Sequence, residues 1–195
     1  MGPLPKPIRP VTVQEFLNGP PNPRGLREQL VDGIVIAMAP PSRAHGQIQL
    51  AVGSLILAHL RSRNSPCIAA TGIGVIPRQN ASDNVRVPDV VVTCSEEDKR
   101  SRILRDPVLV LEVLSPGNQR QTRANVWAYQ SIPSVREIVL LHSRAIAAEV
   151  RRRAAGEPWP DSPHYFGHNE RLRLESIDAE FALRDLYANI PIQED

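Results

Sequence analysis

Two acidic residues, Asp89 and Glu112, each lie inside a run of apolar residues. The first run covers residues 87–92 and the second covers residues 108–114. Both runs are short and rich in β-branched residues, so they predict inner strands of one sheet. Two ionised carboxylates about 4 Å apart would repel each other by roughly 4 kcal/mol at an effective dielectric constant of about 20. A divalent cation such as magnesium or manganese removes that repulsion, so the pair points to a metal site.

A structural interpretation of the same two residues needs no metal. In that interpretation, Asp89 caps a turn and Glu112 forms a salt bridge within the protein. The spacing of the two residues alone favours neither interpretation.

Several separated blocks of the sequence carry a resemblance to a known protein family. In chain order they read LVDGIVIAMAPPSRAHGQI, VRVPDVVVTC, LVLEVLSPGN, WAYQSIPSVREIVLL and FALRDLY. Together they span most of the chain and resemble the Uma-two family of restriction endonucleases, a branch of the PD-(D/E)XK nuclease superfamily. The resemblance implies a restriction-endonuclease-like α/β fold, in which a mixed β-sheet is flanked by helices.

The resemblance also implies roles for individual residues. Asp89 corresponds to the aspartate of the Pro-Asp element, and Glu112 corresponds to the acid of the second element. These two carboxylates and the carbonyl of Val113 would hold Mg²⁺ or Mn²⁺. The implied reaction is metal-assisted hydrolysis of a phosphodiester in DNA. DNA is thus the expected partner, a homodimer is a further expectation, and the family points to a bacterial protein.

The sequence departs from the family where charged residues are expected. The superfamily's usual lysine, two residues after the second acid, is Leu114 here, and in the Uma-two branch the lysine lies on the following helix. On that helix the family has an aspartate, a lysine and an aromatic residue at four-residue spacing. This chain has Gln121, Asn125 and Tyr129 there, and Gln29 replaces a further family acid. Losing one stabilising group costs on the order of 100- to 1,000-fold in rate, so weak activity or none is expected.

Three functions therefore stay open. The first is a metal-dependent DNA endonuclease whose catalytic residues are Asp89 and Glu112, with Gln121 and Asn125 at the positions of the lost charges. The second is a catalytically degenerate member that binds nucleic acid or a protein. The third is a subunit that oligomerises with an active paralogue.

Local patterns predict the elements that position these residues. Asp32-Gly33 predicts the turn of a hairpin over residues 26–38, and apolar residues at helical spacing predict a long helix over residues 44–61. A second helix runs to about residue 131 and places Gln121 and Asn125 on one face. Further strands are expected at 67–77, 85–94, 135–142 and 145–152, before a loop at 156–167 that is rich in proline and glycine. Residues 1–25 are predicted to form an arm with a short helix, and residues 26–190 the endonuclease-like domain.

Two residues near these elements have more than one interpretation. His45 precedes the long helix and is expected to cap it, with binding of metal or phosphate as the alternative. Trp127 is expected to pack inside the protein, with stacking on a nucleic-acid base as the alternative.

Composition limits the other function classes. The chain has 195 residues, a net charge of +2 and a pI of about 8.8, which is not the strongly basic balance of many dedicated nucleic-acid binders. Local basic groups could still meet phosphates, although solvated surface charge is the preferred interpretation of each. These groups are Arg61 with Arg63, Arg120 with Arg123, and Arg151 to Arg153.

Cysteine usage and hydropathy indicate a reduced, cytoplasmic setting. Cys67 and Cys94 are the two cysteines of the chain, and their spacing matches no zinc motif or disulfide framework. Both are expected to be small buried apolar residues. No apolar run reaches the roughly 18 residues typical of a membrane-spanning helix, so no membrane partner is expected.

Overall fold

The computed structural model describes residues 9–96, 98, 100–190 and 192. Its α-helices are α1 (Val13–Asn18), α2 (Arg43–Ser62) and α3 (Gln119–Gln130). Its strands are β1 (Glu28–Val31), β2 (Ile34–Ala37), β3 (Ile68–Ala70), β4 (Val90–Thr93), β5 (Pro107–Leu114), β6 (Glu137–His142), β7 (Ala148–Arg152), β8 (His164–Phe166), β9 (Arg171–Leu174) and β10 (Ala179–Ala182). Two 3-10 helices cover Glu175–Ile177 and Leu183–Tyr187.

A mixed six-stranded sheet in the order β3-β4-β5-β6-β7-β8 forms the centre of the domain. Strands β5 and β6 pair in parallel, whereas the other neighbours are antiparallel. A parallel pair needs a crossover connection, and α3 supplies it. The predicted α/β fold with a mixed sheet is confirmed.

The two long helices lie on opposite faces of this sheet. On one face, α2 packs Ile48, Val52, Ile56 and Leu60 into a core shared with the β9–β10 hairpin. Each of these side chains follows the previous one by four residues, which keeps them on one helix face. On the other face, α3 packs Val126 and Tyr129 against the sheet.

The β1–β2 hairpin forms as the sequence predicts. Asp32 and Gly33 have positive φ angles of 49° and 76°, as a two-residue turn of the favoured hairpin type requires. Strand β1 also makes a bridge from Leu30 to Val85, so the hairpin is joined to the chain segment that leads into β4.

The strands expected at 67–77 and 85–94 are shorter than predicted. Strand β3 ends at Ala70, because the chain turns at Gly72, whose φ is +67°. Strand β4 begins only at Val90, since Pro88 has no N–H to donate to a ladder. The segment before Pro88 is limited to isolated bridges. In the opposite sense, the loop expected at 156–167 contains β8, which pairs with the edge of β7.

The prediction that both cysteines are separate buried apolar residues was wrong. Cys67 and Cys94 form a disulfide; Cys67 is half-buried and Cys94 is exposed. The antiparallel register of β3 and β4 pairs Ile68 with Thr93, so the next residues outward face each other. Local spacing in the sequence does not show this register, because the two cysteines have a sequence separation of 27.

Within the part of the chain that the structure describes, no helix has the length and hydropathy needed to cross a membrane.

Candidate active site

The sheet register brings Asp89 and Glu112 together. Strands β4 and β5 are antiparallel, with Val90 opposite Leu111 and Val91 opposite Val110. One step further along the same register, Asp89 lies opposite Glu112. Because side chains alternate between faces of a strand, both acids are on the face that carries α3.

The Asp89 carboxylate is buried and held by two donors. Its Oδ2 accepts a 2.8 Å hydrogen bond from the backbone N–H of Val113, and its Oδ1 lies 3.0 Å from Nε2 of His45. Gln49 donates a 2.7 Å hydrogen bond to the Asp89 carbonyl. The side chain is only 4% exposed. Its orientation is therefore set by a neighbouring strand and by the first turn of α2.

The Glu112 carboxylate lies in hydrogen-bonding contact with Asp89, and side chains of α3 donate hydrogen bonds to it. Its Oε1 accepts hydrogen bonds from the Tyr129 hydroxyl at 2.6 Å and from the Asn125 amide at 3.3 Å. Burial and the charge of Asp89 raise the pKa of Glu112 to about 8, although these two donors favour its ionised form. The site therefore keeps one proton at neutral pH that two isolated acids would have released.

Gln121 extends this network toward the surface. Its amide nitrogen donates a 3.1 Å hydrogen bond to Oδ1 of Asn125, whose own amide nitrogen donates to Glu112. Asn125 is buried and Gln121 is half-buried. The predicted shared face of Gln121, Asn125 and Tyr129 does point at the two acids. Neutral amides occupy both positions where the resemblance leads one to expect charges.

The oxygen atoms at this site suit a hard divalent cation. The candidate ligands are the carboxylates of Asp89 and Glu112 and the carbonyl of Val113, which also accepts a 3.1 Å hydrogen bond from Asn118. Such oxygen donors are those that magnesium and manganese prefer. Burial and the charge of Asp89 disfavour ionisation of Glu112, and a bound divalent cation would relieve this by stabilising both carboxylates. No cluster of three or more His, Cys, Asp or Glu suited to a metal occurs among the described residues.

His45 contributes to the site and not to the helix cap that the sequence predicted for it. Ser42 is the cap of α2, and its hydroxyl accepts the hydrogen bond from the His45 backbone N–H. The imidazole of His45 is buried, with Nε2 against Asp89 and Nδ1 3.2 Å from the Ser115 hydroxyl. The ring therefore joins the end of β5 to the acid of β4.

Gln29 is buried beside the site. The antiparallel bridge between Leu30 and Val85 sets Gln29 opposite Arg86, on the same face. Its side chain is nearly inaccessible to solvent, and its Oε1 has no hydrogen-bond partner among the described residues.

Arg86 is a charged residue near the site that sequence reasoning missed. Its side chain is buried, and its charge interacts electrostatically with Tyr129 and Asp32. Burial lowers the pKa of this guanidinium, and its one hydrogen bond in the described structure runs from Nη1 to the Leu30 carbonyl at 3.3 Å. The available signal was an arginine between two valines, in the segment that leads directly into the Pro-Asp pair.

The sequence predicted that Trp127 packs inside the protein, and this prediction was wrong. The residue lies on the outer side of α3 with 73% of its surface exposed. Val126 and Tyr129 supply the packing face of that helix. The apolar spacing therefore predicted the helix correctly but assigned Trp127 to the wrong face.

Comparisons with known proteins agree with this architecture. The family model Uma2, described as a putative restriction endonuclease, matches residues 13–185. An uncharacterized protein from Synechocystis sp. strain PCC 6803 is 27% identical over 186 residues, which cover 94% of this chain and 95% of that protein. The crystal structure of a putative nuclease belonging to DUF820 from Anabaena variabilis ATCC 29413 has a TM-score of 0.72 and 19% sequence identity, and the match covers 92% of this chain and 98% of that one. The structural similarity confirms the fold.

Proposed function

Since the chain belongs to the Uma2 family of putative restriction endonucleases, we propose that it is a metal-dependent DNA endonuclease with Asp89 and Glu112 at its centre. The observation that carries this proposal is the contact between two buried carboxylates on one face of the sheet. Structural proteins seldom bury two adjacent acids, because each ionised group must be compensated by a partner. Phosphodiester hydrolysis uses such a pair.

Asp89, Glu112 and the Val113 carbonyl are the groups that would hold Mg²⁺ or Mn²⁺. A divalent cation at this place supplies neutralisation of phosphate charge and a more acidic bound water. His45 and the Val113 N–H keep Asp89 in one orientation. Tyr129 and Asn125 do the same for Glu112, whose proton must leave before its carboxylate can serve as a ligand.

Low activity is part of this proposal. Asn125 occupies the place of the family lysine, and an amide is neither a cation nor a base at neutral pH. Its interaction with Glu112 is a hydrogen bond of 3.3 Å, which orients the acid without neutralising its charge. We expect cleavage on the order of 100- to 1,000-fold slower than with a lysine at this position.

Cleavage of supercoiled plasmid DNA by the full chain, with and without Mg²⁺ or Mn²⁺, tests the proposal. Asp89→Asn and Glu112→Gln should abolish the metal-dependent activity, whereas Glu157→Gln, the same exchange in an exposed loop, should retain it. Calorimetric titration of Mg²⁺ should give a heat of binding that Asp89→Asn loses. Equal cleavage by wild type and both site variants would trace the activity to a contaminant and refute the proposal.

A catalytically degenerate binder of nucleic acid or protein is the alternative. The observation that favours it is the double replacement of charge by Gln121 and Asn125, within an otherwise intact hydrogen-bond network. This function predicts binding of an oligonucleotide in EDTA with no cleavage when metal is added. A homodimer is proposed under either function, and light scattering of the same preparations measures it.

A further inference from the structure

A cavity of about 760 Å³ lies between the first turn of α3 and the segment that precedes β4. Two arginines, Arg86 and Arg120, and one acid, Asp32, are the charged residues in its lining. Gln121 also lines the cavity and continues through Asn125 to Glu112. The cavity is thus connected by hydrogen bonds to the proposed catalytic centre.

Arg86 brings to this cavity a buried charge that forms no salt bridge, although it is attracted electrostatically to Asp32. The residue is 7% exposed, its Nε has no hydrogen-bond partner among the described residues, and no carboxylate of that part of the chain lies within ion-pair distance. A buried charge is costly when a hydrogen bond to one carbonyl and a more distant acid are all that compensates it. An anion in the cavity would supply a carboxylate- or phosphate-type partner in direct contact.

The first turn of α3 offers a second group of donors to the same space. No acidic residue occupies that turn and no side chain caps it, because Asn118 directs its side chain to the backbone of Val113 and Ser115. Free N–H groups at the start of a helix attract phosphate. Arg120, in this turn, is exposed and has no ion-pair partner among the described residues.

Among the described residues of the lining, Asp32 is the one acid, and its charge opposes an anion. Its carboxylate accepts amide hydrogen bonds from Asn80 at 3.1 Å and from Asn84 at 3.0 Å. These bonds hold the acid against the segment that precedes β4, where it also attracts Arg86 electrostatically. With two arginines and one acid, the lining keeps a net positive charge.

Trp127 adds a different kind of surface to the same cavity. Its indole lines the cavity although 73% of the residue is exposed to solvent. A large apolar ring in water beside a basic group is typical of surfaces on which unpaired bases stack.

We infer that this cavity is a nucleotide subsite in which Arg86 and the first turn of α3 bind a backbone phosphate and Trp127 stacks on an unpaired base. This inference rests on the proposed function, since the bound strand would be the one that reaches Asp89 and Glu112. It extends that function by naming the substrate as nucleic acid with a single-stranded portion next to the reacting phosphate.

Fluorescence anisotropy of a labelled oligothymidylate, in EDTA and over a range of salt concentrations, measures this subsite without cleavage. Trp127→Leu should weaken binding by roughly 5- to 150-fold, and Trp127→Phe should retain most of the affinity. Arg120→Gln should reduce the salt dependence by about one phosphate contact. Arg184→Gln is the matched control, because this exposed arginine lies in the Leu183–Tyr187 helix on the opposite face of the sheet.

Arg86 needs two variants because it is buried. Arg86→Lys keeps the charge and Arg86→Met removes it, and thermal melting establishes that each protein is folded. Met should lower the salt dependence as Arg120→Gln does, and Lys should restore part of it. A fully paired duplex of the same length should respond to Arg120→Gln but little to Trp127→Leu.

Failure of the subsite inference and failure of the proposed nuclease function give different experimental results. If wild type cleaves plasmid but Arg86→Met, Arg120→Gln and Trp127→Leu bind oligothymidylate as wild type does, the subsite is refuted and the nuclease stands. If wild type binds, these variants weaken binding and no metal-dependent cleavage occurs, the subsite stands and the nuclease is refuted. A wild-type chain that binds no oligothymidylate refutes the subsite, whatever its activity.

Discussion

Tyr129 donates a 2.6 Å hydrogen bond from its hydroxyl to Oε1 of Glu112, across 17 residues of sequence and between two buried side chains. The bond joins the last turn of α3 to the C-terminal part of β5. It stabilises the ionised form of an acid whose surroundings otherwise favour the protonated form.

Tyr129→Phe is therefore expected to raise the pKa of Glu112 further and to destabilise the fold by about 1–3 kcal/mol where the acid is ionised. Below the pKa of Glu112 the variant should lose less free energy of unfolding, because the protonated acid depends less on the hydrogen bond from Tyr129. Urea unfolding above and below about pH 8 measures both values. Tyr187→Phe is a matched control: Tyr187 is buried and donates 2.9 Å to a backbone carbonyl, so its loss should not depend on pH in this range.

The raised pKa of Glu112 predicts a slope of stability against pH. In the unfolded chain this acid loses its proton near pH 4.5, whereas in the folded protein it keeps the proton to about pH 8. Between these values the folded state binds more protons, so the free energy of unfolding should fall by up to about 1.4 kcal/mol per pH unit as pH rises. Above about pH 8 the slope should vanish.

Glu112→Gln removes this contribution without changing the shape of the side chain. The variant should lose that part of the slope and become more stable than wild type as the pH approaches 8. Urea unfolding at several pH values gives the comparison. Parallel curves for the two proteins would show that Glu112 titrates normally and that the two acids do not share a proton.

Local sequence patterns predicted much of this fold. The Asp32-Gly33 turn, α2 and α3 depend on residues close together in the chain, and all three are found where they were expected. The two acids could be paired in advance because each lies within its own apolar run. Because side chains alternate along a strand, each acid could lie on either face of the sheet. The register of β4 and β5 places both acids on the same face.

Other parts of the site depend on register between distant segments. His45 meets Asp89 across 44 residues, and Arg86 is placed by bridges to Leu30 and Val75. The spacing of neighbouring residues in the sequence does not predict such pairings. An arginine within an apolar stretch reads as exposed surface until its neighbours are known, which is why Arg86 was missed.

The Cys67–Cys94 disulfide predicts a redox-dependent stability. Closing a loop with a sequence separation of 27 should stabilise the fold by about 3–4 kcal/mol in the chain-entropy model. Dithiothreitol should lower the free energy of unfolding of wild type by this amount and leave a Cys67→Ala, Cys94→Ala variant unchanged. Equal stability with and without reductant, together with two titratable thiols, would support the reduced cytoplasmic state that the sequence suggested.

Restoring the family's charges on α3 distinguishes the nuclease function from the alternative, a catalytically degenerate binder. Asn125 already donates to Glu112 at 3.3 Å and accepts from Gln121 at 3.1 Å. Asn125→Lys would place an ammonium beside Glu112 and lower the pKa of that acid. Gln121→Asp would pair with this lysine at the favourable helical spacing, the acid preceding the base by four residues. If the rest of the centre is intact, metal-dependent plasmid cleavage should rise on the order of 100- to 1,000-fold.

The controls for this double variant distinguish charge from packing. Gln121→Asp alone introduces an acid without the cation and should not raise cleavage. Asn125→Leu introduces a side chain about as large as lysine but without its charge. If the face is only a packing surface, two buried charges should destabilise the fold by several kcal/mol, which thermal melting would report. A double variant that folds as wild type does and cleaves no faster would show that the departure from the family reaches beyond Gln121 and Asn125. In that case binding, and not hydrolysis, is the function that Asp89 and Glu112 serve.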